Sequence, residues 1–134
     1  MSEQSYDIRV SVEAEYIATE SEPDQNRYVF TYTITIINQG TMPARLLSRH
    51  WVITDSNGMT QEVRGDGVVG KQPIIQPQES FRYSSGATLT TPVGCMEGSY
   101  FMVVREPMEI DPQQLPTFQV PVPAFSLHTP MALN

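Results

Sequence analysis

The chain has 134 residues, of which 40% are hydrophobic and 17% charged, and its formal net charge is -7. This acidity excludes a general nucleic-acid-coating protein, because such proteins neutralise phosphates with clustered Lys and Arg. The single cysteine, Cys95, excludes an internal disulfide and any metal site built from several cysteines. We expect one domain over residues 1–134, with a core over about residues 8–127 and short flexible termini.

No apolar run approaches the ~20 residues that a membrane helix needs, so no membrane partner is expected. The first residues lack the basic start and the apolar stretch of a secretory signal. Together with the lone cysteine, these observations predict a cytoplasmic location.

Strand-forming residues dominate the composition, with 12 Val, 9 Ile and 12 Thr against 6 Leu and 6 Ala. Apolar and polar residues alternate with a period of two over residues 8–16 and 28–36, which is typical of half-buried strands. Asn57-Gly58 marks a hairpin turn, because both residues adopt positive φ at low cost. The predicted strands lie at residues 8–16, 28–36, 44–55, 59–64, 79–89, 98–106 and 117–127.

The last predicted strand contains Pro121 and Pro123, which lack the N–H group that a central strand requires, so it is predicted to be an edge strand. The segments between and after the strands are predicted as connections at 65–78 and 90–97, an irregular stretch at 107–116 and a frayed end at 128–134. Seven to nine short strands without a helix predict an all-β fold, an antiparallel sandwich of the fibronectin-III or immunoglobulin type.

Residues 65–70, Gly-Asp-Gly-Val-Val-Gly, match the G-x-G-x-x-G pattern of dinucleotide-binding loops. That pattern requires a helix after it, and the prolines at positions 73 and 77 exclude one. A Walker A loop is excluded as well, because Gln72 stands where Ser or Thr is required. Two interpretations of the glycine-rich loop therefore remain open.

In the first interpretation, the glycines only allow a sharp turn, with Val68 and Val69 packed into the core. In the second, backbone N–H groups converge on a phosphate-containing anion, such as pyrophosphate or a dinucleoside polyphosphate. Residues 25–96 contain six basic and four acidic residues, and so form the one net-positive part of the chain. The candidate anion-binding residues are Arg64, Gly65, Gly67, Gly70 and Lys71.

Asp66 lies inside the same loop and repels an anion unless Mg²⁺ joins its carboxylate to a phosphate. No metal site built from protein ligands alone is expected. Strand alternation predicts Arg45 and Arg49 on one face of their strand and His50 on the opposite face.

No catalytic residues are predicted. A Ser–His–acid triad needs a histidine base, and only His50, in the middle of a strand, and His128, in the frayed end, are available. His50 is predicted to be a half-buried or surface residue, and Cys95 a small residue in a turn. No cofactor is expected.

Several separated stretches resemble the ApaG family, and together they extend over nearly the whole chain from about residue 8 to residue 127. The run Val63-Arg64-Gly65-Asp66-Gly67-Val68-Val69-Gly70-Lys71-Gln72-Pro73 is a distinctive part of this resemblance. The other stretches are residues 8–12, 45–51, 53–58, 75–77, 79–86 and 94–102.

The resemblance implies a fibronectin-III-like sandwich and no settled biochemical activity. It associates the chain with cobalt and magnesium cation handling and with dinucleoside polyphosphate metabolism, and it implies a pyrophosphate site at the glycine-rich loop. We therefore expect a non-catalytic interaction module with an unidentified protein partner. The alternatives are a phosphate-binding protein that uses residues 65–71 and, less favoured, a hydrolase. A homodimer formed through the edge strand or an exposed face is also predicted.

Overall fold

The computed structural model describes residues 7–104 and 117–131, which form two antiparallel sheets packed face to face. The eight strands of these residues are, in chain order, β1 (Ile8–Tyr16), β2 (Tyr28–Asn38), β3 (Ala44–Asp55), β4 (Thr60–Asp66), β5 (Ile74–Ile75), β6 (Ser80–Leu89), β7 (Val93–Val104) and β8 (Thr117–His128). The first sheet has the order β1-β2-β6. The second sheet, called here the five-stranded sheet, has the order β4-β3-β7-β8, with β5 also paired to β3.

The core lies between the two sheets because alternate residues of each strand turn inward. In β2 the buried positions are every second residue from Phe30 to Asn38. Trp51 of β3 is 2% exposed, and its ring packs against three aromatic rings, those of Tyr32, Tyr100 and Phe125. Burying each such side chain stabilises the fold by about 1.5–3 kcal/mol. The core therefore joins both sheets through one aromatic cluster.

Helix is limited, within residues 7–104 and 117–131, to two single turns of 3-10 helix at Ala18–Glu20 and Pro23–Gln25. In this part of the chain, no helix has the length and apolar character needed to cross a membrane. The prediction of an all-β antiparallel sandwich of the fibronectin-III or immunoglobulin type is confirmed.

Several predicted boundaries are wrong because pairing with a neighbouring strand extends an element, and one short strand was not predicted. β4 continues through Asp66 opposite β3, so the first two residues of the glycine-rich loop belong to a strand. β7 already begins at Val93, which places Cys95 in a strand and not in a turn. β8 includes His128, which pairs with Val93 and is not frayed, and β5 lies within the predicted connection 65–78. The predicted irregular stretch 107–116 lies outside the described residues.

A β-bulge at Leu47 reverses the predicted faces of β3. Residues 44 and 46 are buried before the bulge, whereas residues 51 and 53 are buried after it, so the inward positions change from even to odd numbers. Arg45 and His50 therefore share the outer face, and Arg49 turns toward the core. The prediction that Arg45 and Arg49 share a face is wrong for this reason.

Candidate functional site

A depression of about 360 Å³ lies on the outer face of the five-stranded sheet. Four strands of that sheet contribute its walls and floor. The outward-facing residues that line the depression are Ser48, His50, Arg64, Asp66, Ser99, Phe101 and Gln119, and the inward-facing Arg49 and Gly65 lie between them in β3 and β4.

The register of the strands explains why these residues meet. Ser48 lies between Asp66 of β4 and Phe101 of β7, and Phe101 in turn lies beside Gln119 of β8. Two residues further along β3, His50 is flanked on the same face by residues 64 and 99. Because serines at positions 48 and 99 are smaller than their neighbours, the sheet surface is lowest between them.

Polar groups in the depression are arranged by short contacts. His50 Nε2 lies 3.1 Å from Glu62 Oε1, and Arg64 Nη2 lies 3.8 Å from the same oxygen. Gln119 Nε2 donates a hydrogen bond of 2.9 Å to Ser99 Oγ. Glu62 therefore offsets the positive charge of Arg64, and the depression is polar without a strong excess of positive charge.

Phe101 is the apolar element of this surface and is 47% exposed. A half-exposed aromatic ring surrounded by hydrogen-bonding side chains is the composition found at the centres of protein-binding surfaces. Phe101 was not predicted, because the strand pattern of β7 alone does not show which outward residue lies beside a depression.

The structure divides the predicted anion-binding residues into two groups. Arg64 and Gly65 line the depression, and the other three lie in the turn after β4. Gly67 N donates to the Leu47 carbonyl at 2.8 Å, and Lys71 N donates to the Val68 carbonyl at 2.9 Å. These two amides are engaged within the protein, so an anion at this loop would depend mainly on side chains. Anion binding here stays a prediction.

Residues 68–71 form a tight turn closed by two hydrogen bonds between Val68 and Lys71. Its central residues, Val69 and Gly70, both have positive φ, 44° and 79°. Val68 is 1% exposed, as the first interpretation of the loop predicts, but Val69 is 52% exposed and lies at the tip. A β-branched residue in this conformation is strained, and the placement of Val69 in the core is wrong.

Gly65 has a structural role that sequence reasoning missed. A Cβ added to Gly65 would lie 2.8 Å from Arg49 Nη1, because the guanidinium passes over this residue. Arg49 Nη1 then donates hydrogen bonds to the carbonyls of Asp66 and Gly67, at 3.2 and 2.9 Å. The glycine thus provides space for an arginine of the neighbouring strand.

Tyr100, the cross-strand neighbour of Arg49 on β7, forms a buried pair with Tyr83 of β6. The hydroxyls of Tyr83 and Tyr100 are hydrogen-bonded to each other at 2.5 Å across the two sheets. Burial raises the pKa of both phenols well above their ordinary value of about 10. Both side chains therefore stay neutral wherever the protein is folded at moderate pH, and neither is a candidate acid or base.

The remaining predicted residues do not assemble a second site. Cys95 is half-buried in β7 and pairs with Thr54 and Ser126. His128 Nδ1 lies 3.4 Å from Ser126 Oγ at the end of β8. Within residues 7–104 and 117–131, no three His, Cys, Asp or Glu side chains cluster in a way that could hold a metal ion.

β8 is an edge strand, as its prolines predict. It also has a bulge opposite residues 96–98, and it lies against β1 of the other sheet. Prolines, a bulge and a neighbouring strand all hinder the addition of a further strand. This edge is therefore poorly suited to the strand pairing that was expected there.

Comparison with known proteins gives consistent matches. Residues 18–104 match the family model described as the ApaG domain. The sequence is 52% identical over 128 residues to "Protein ApaG" of Ectopseudomonas mendocina, covering 96% of this chain and 100% of that protein. It is 52% identical over 129 residues to "Protein ApaG" of Thiobacillus denitrificans, with 96% and 95% covered. The crystal structure of an ApaA protein from Bordetella pertussis matches with a TM-score of 0.87 at 44% identity, covering 98% of this chain and 100% of that one.

Proposed function

The chain belongs to the ApaG family, and from that premise we propose that it is a non-catalytic module that binds a protein partner. The partner contacts the outer face of the five-stranded sheet, with the depression between Ser48 and Ser99 at its centre. The observation that supports this proposal is the exposed ring of Phe101, which borders a polar depression formed by four strands.

The chemistry of the surface indicates how a partner is held. The depression of about 360 Å³ is large enough for one or two side chains. Apolar contact with Phe101 supplies affinity at the centre, where water is excluded. The amide of Gln119 and the basic groups of His50 and Arg64 supply directional hydrogen bonds at the rim. These features fit a protein surface better than a small apolar ligand.

Affinity capture from a lysate tests this function with matched variants. Phe101→Ser removes the exposed ring, and Met131→Ser removes an apolar side chain that is 78% exposed and lies outside the depression. We expect a captured protein to be lost with Phe101→Ser and retained with Met131→Ser. Equal capture by both variants would contradict the proposal.

Absence of catalysis is part of the same proposal. His50 Nε2 faces Glu62, and Ser99 Oγ already accepts a hydrogen bond from Gln119, so no activated serine is formed by these contacts. We expect no hydrolysis of a dinucleoside polyphosphate by the pure protein. Turnover that disappears in His50→Gln or Asp66→Asn would instead indicate an enzyme.

A phosphate-containing anion is the second candidate ligand. Arg64 favours it, because its side chain is 71% exposed and lines the depression. Lys71 lies in the adjacent turn. The two side chains supply positive charge for the anion, and the exposed turn leaves space for it. Magnesium would bind together with the phosphate and not alone. This would be the link between this chain and the cation handling associated with the family. Affinity between about micromolar and millimolar is expected.

An NMR titration with pyrophosphate and Mg²⁺ tests this candidate. Saturable shifts at Arg64, Gly70 and Lys71 that are lost in Lys71→Gln would support it. Gly67→Val is unsuitable as a variant, because its Cβ would lie 2.2 Å from the Lys71 carbonyl oxygen. Shifts spread over all arginines would contradict a site at this turn. With either ligand, we propose a cytoplasmic location for the protein.

A further inference from the structure

The sandwich has an opening along one side, between the free edges of β4 and β6. Within residues 7–104 and 117–131, β4 ends the five-stranded sheet and β6 ends the three-stranded sheet, and each pairs with a strand on its inner side only. On the opposite side of the sandwich, β1 and β8 lie against each other. The two edges that face this opening are therefore the places where another strand could pair.

β6 is the less protected of these edges. It pairs with β2 over ten consecutive positions without a register shift, and no proline interrupts it. By contrast, β4 has seven residues, and β8 contains prolines and a bulge. A long, regular, unpaired strand edge is a template for strand addition.

An apolar groove lies beside one end of β6. It has a volume of about 250 Å³, and Ile53 and Leu89 form its apolar wall, with Met59 at the rim. Asp55 also lines it, but both carboxylate oxygens accept hydrogen bonds from residues 57, 59 and 90. The groove can therefore take an apolar side chain of a strand that runs along β6.

Arg49 lies toward the other end of the opening. Its guanidinium leans over Gly65 of β4, and Arg49 pairs with Tyr100, whose hydroxyl is hydrogen-bonded to that of Tyr83 on β6. In the part of the chain that the structure describes, its hydrogen-bond acceptors are carbonyl oxygens, and no ion pair with a carboxylate includes it. A partly buried cation without a carboxylate partner favours an acidic group nearby.

We propose that the edge of β6 binds an extended peptide segment of a partner as an additional antiparallel strand. The segment has an apolar residue that enters the groove beside Leu89 and an acidic residue, six positions later, that meets Arg49. The spacing follows from Tyr83 and Leu89, which share the inner face and lie six positions apart on β6. The order follows from the antiparallel direction, which all the observed ladders share. This edge is separate from the Phe101 surface.

A phage-displayed library of random peptides about ten residues long tests this inference. On the wild-type chain, we expect enrichment of peptides with an apolar residue six positions before Asp or Glu. Met59→Glu places a charge at the rim of the groove and should lower recovery at least about tenfold. Arg49→Gln should remove the preference for the acidic residue only. Phe101→Ser is the matched control and should leave the enrichment unchanged, which separates this edge from the proposed partner surface.

Localisation by amide hydrogen exchange completes the test. An enriched peptide should protect amides of β6 and leave those of β8 unchanged. If Arg49→Gln does not fold, replacing the acidic residue of the peptide by its amide gives the same comparison. No enrichment, unchanged enrichment on Met59→Glu, or protection of β4 or β8 would overturn the inference. If sedimentation shows a dimer without peptide, and Met59→Glu abolishes that dimer, then the edge of β6 binds a second copy of this chain. That result would also overturn the inference.

Discussion

At the scale of single residues, Gly65 and Arg49 form one unit. Position 65 requires glycine because the Arg49 side chain occupies the space of a Cβ atom, with Nη1 2.8 Å from the Cβ position. Gly65→Ala should lower the free energy of unfolding by about 1–3 kcal/mol, measured by urea denaturation, because a well-packed guanidinium must move. In an Arg49→Ala background, most of that loss should vanish. An equal loss in both backgrounds would show that the contact with Arg49 is not its cause.

At Val69, unlike at Gly65, a substitution should stabilise the fold. Its φ of 44° lies in the left-handed region, which is unfavourable for a β-branched residue, and its side chain is exposed. Asn-Gly is the preferred pair at such a turn. Val69→Asn should therefore raise the free energy of unfolding by about 1 kcal/mol, visible as a higher Tm. Unchanged or lower stability would contradict the strain.

Sequence reasoning at this scale succeeded where a residue pair acts locally. Asn57-Gly58 lies in the hairpin turn between β3 and β4, where Gly58 has the expected positive φ, 82°, and Asn57 does not. It failed at Gly65, because the space over this residue is occupied by a side chain of another strand. It failed at Val69, because the pairing around the turn imposes a positive φ that valine itself disfavours.

At the scale of elements, the Tyr83–Tyr100 pair connects β6 to β7 across the core and predicts a pH dependence. Both pKa values are raised by burial. Above pH about 10 the unfolded chain releases the two phenolic protons and the folded chain keeps them, so unfolding becomes easier as pH rises. Each tyrosine contributes a slope of up to about 1.4 kcal/mol per pH unit.

Urea denaturation between pH about 9 and 11 should show this loss of stability. Tyr100→Phe should be less stable at neutral pH by about 1–3 kcal/mol, because it leaves the Tyr83 hydroxyl without its buried partner. The same variant should show a shallower decline above pH about 10. A decline as steep as that of the wild-type chain would contradict the assignment.

The strands could be predicted from the sequence, but the irregularities within them could not. Alternation predicted the core of each long strand, because a sheet with one buried face imposes a period of two. The bulge at Leu47 could not be predicted, since both sides of it still read as strand. It moves Arg45 to the face of His50 and turns Arg49 toward the opening between β4 and β6.

At the scale of the whole molecule, the fold followed from sequence but the site did not. The depression needs the register of four strands, which brings together residues as far apart as Ser48 and Gln119. Arg64 and Gly65 were predicted because the glycine-rich loop is visible in sequence. Phe101 and Ser99 were not predicted, because nothing in their own segment distinguishes them from other outward positions.

A partner that binds the outer face of the five-stranded sheet should contact Phe101 directly. Photo-crosslinking in cells tests it most directly, with benzoylphenylalanine in place of Phe101 and, as a control, in place of Thr33 on the outer face of the other sheet. We expect one discrete protein adduct from position 101 and none from position 33. No adduct from position 101, or the same adducts from both positions, would contradict it.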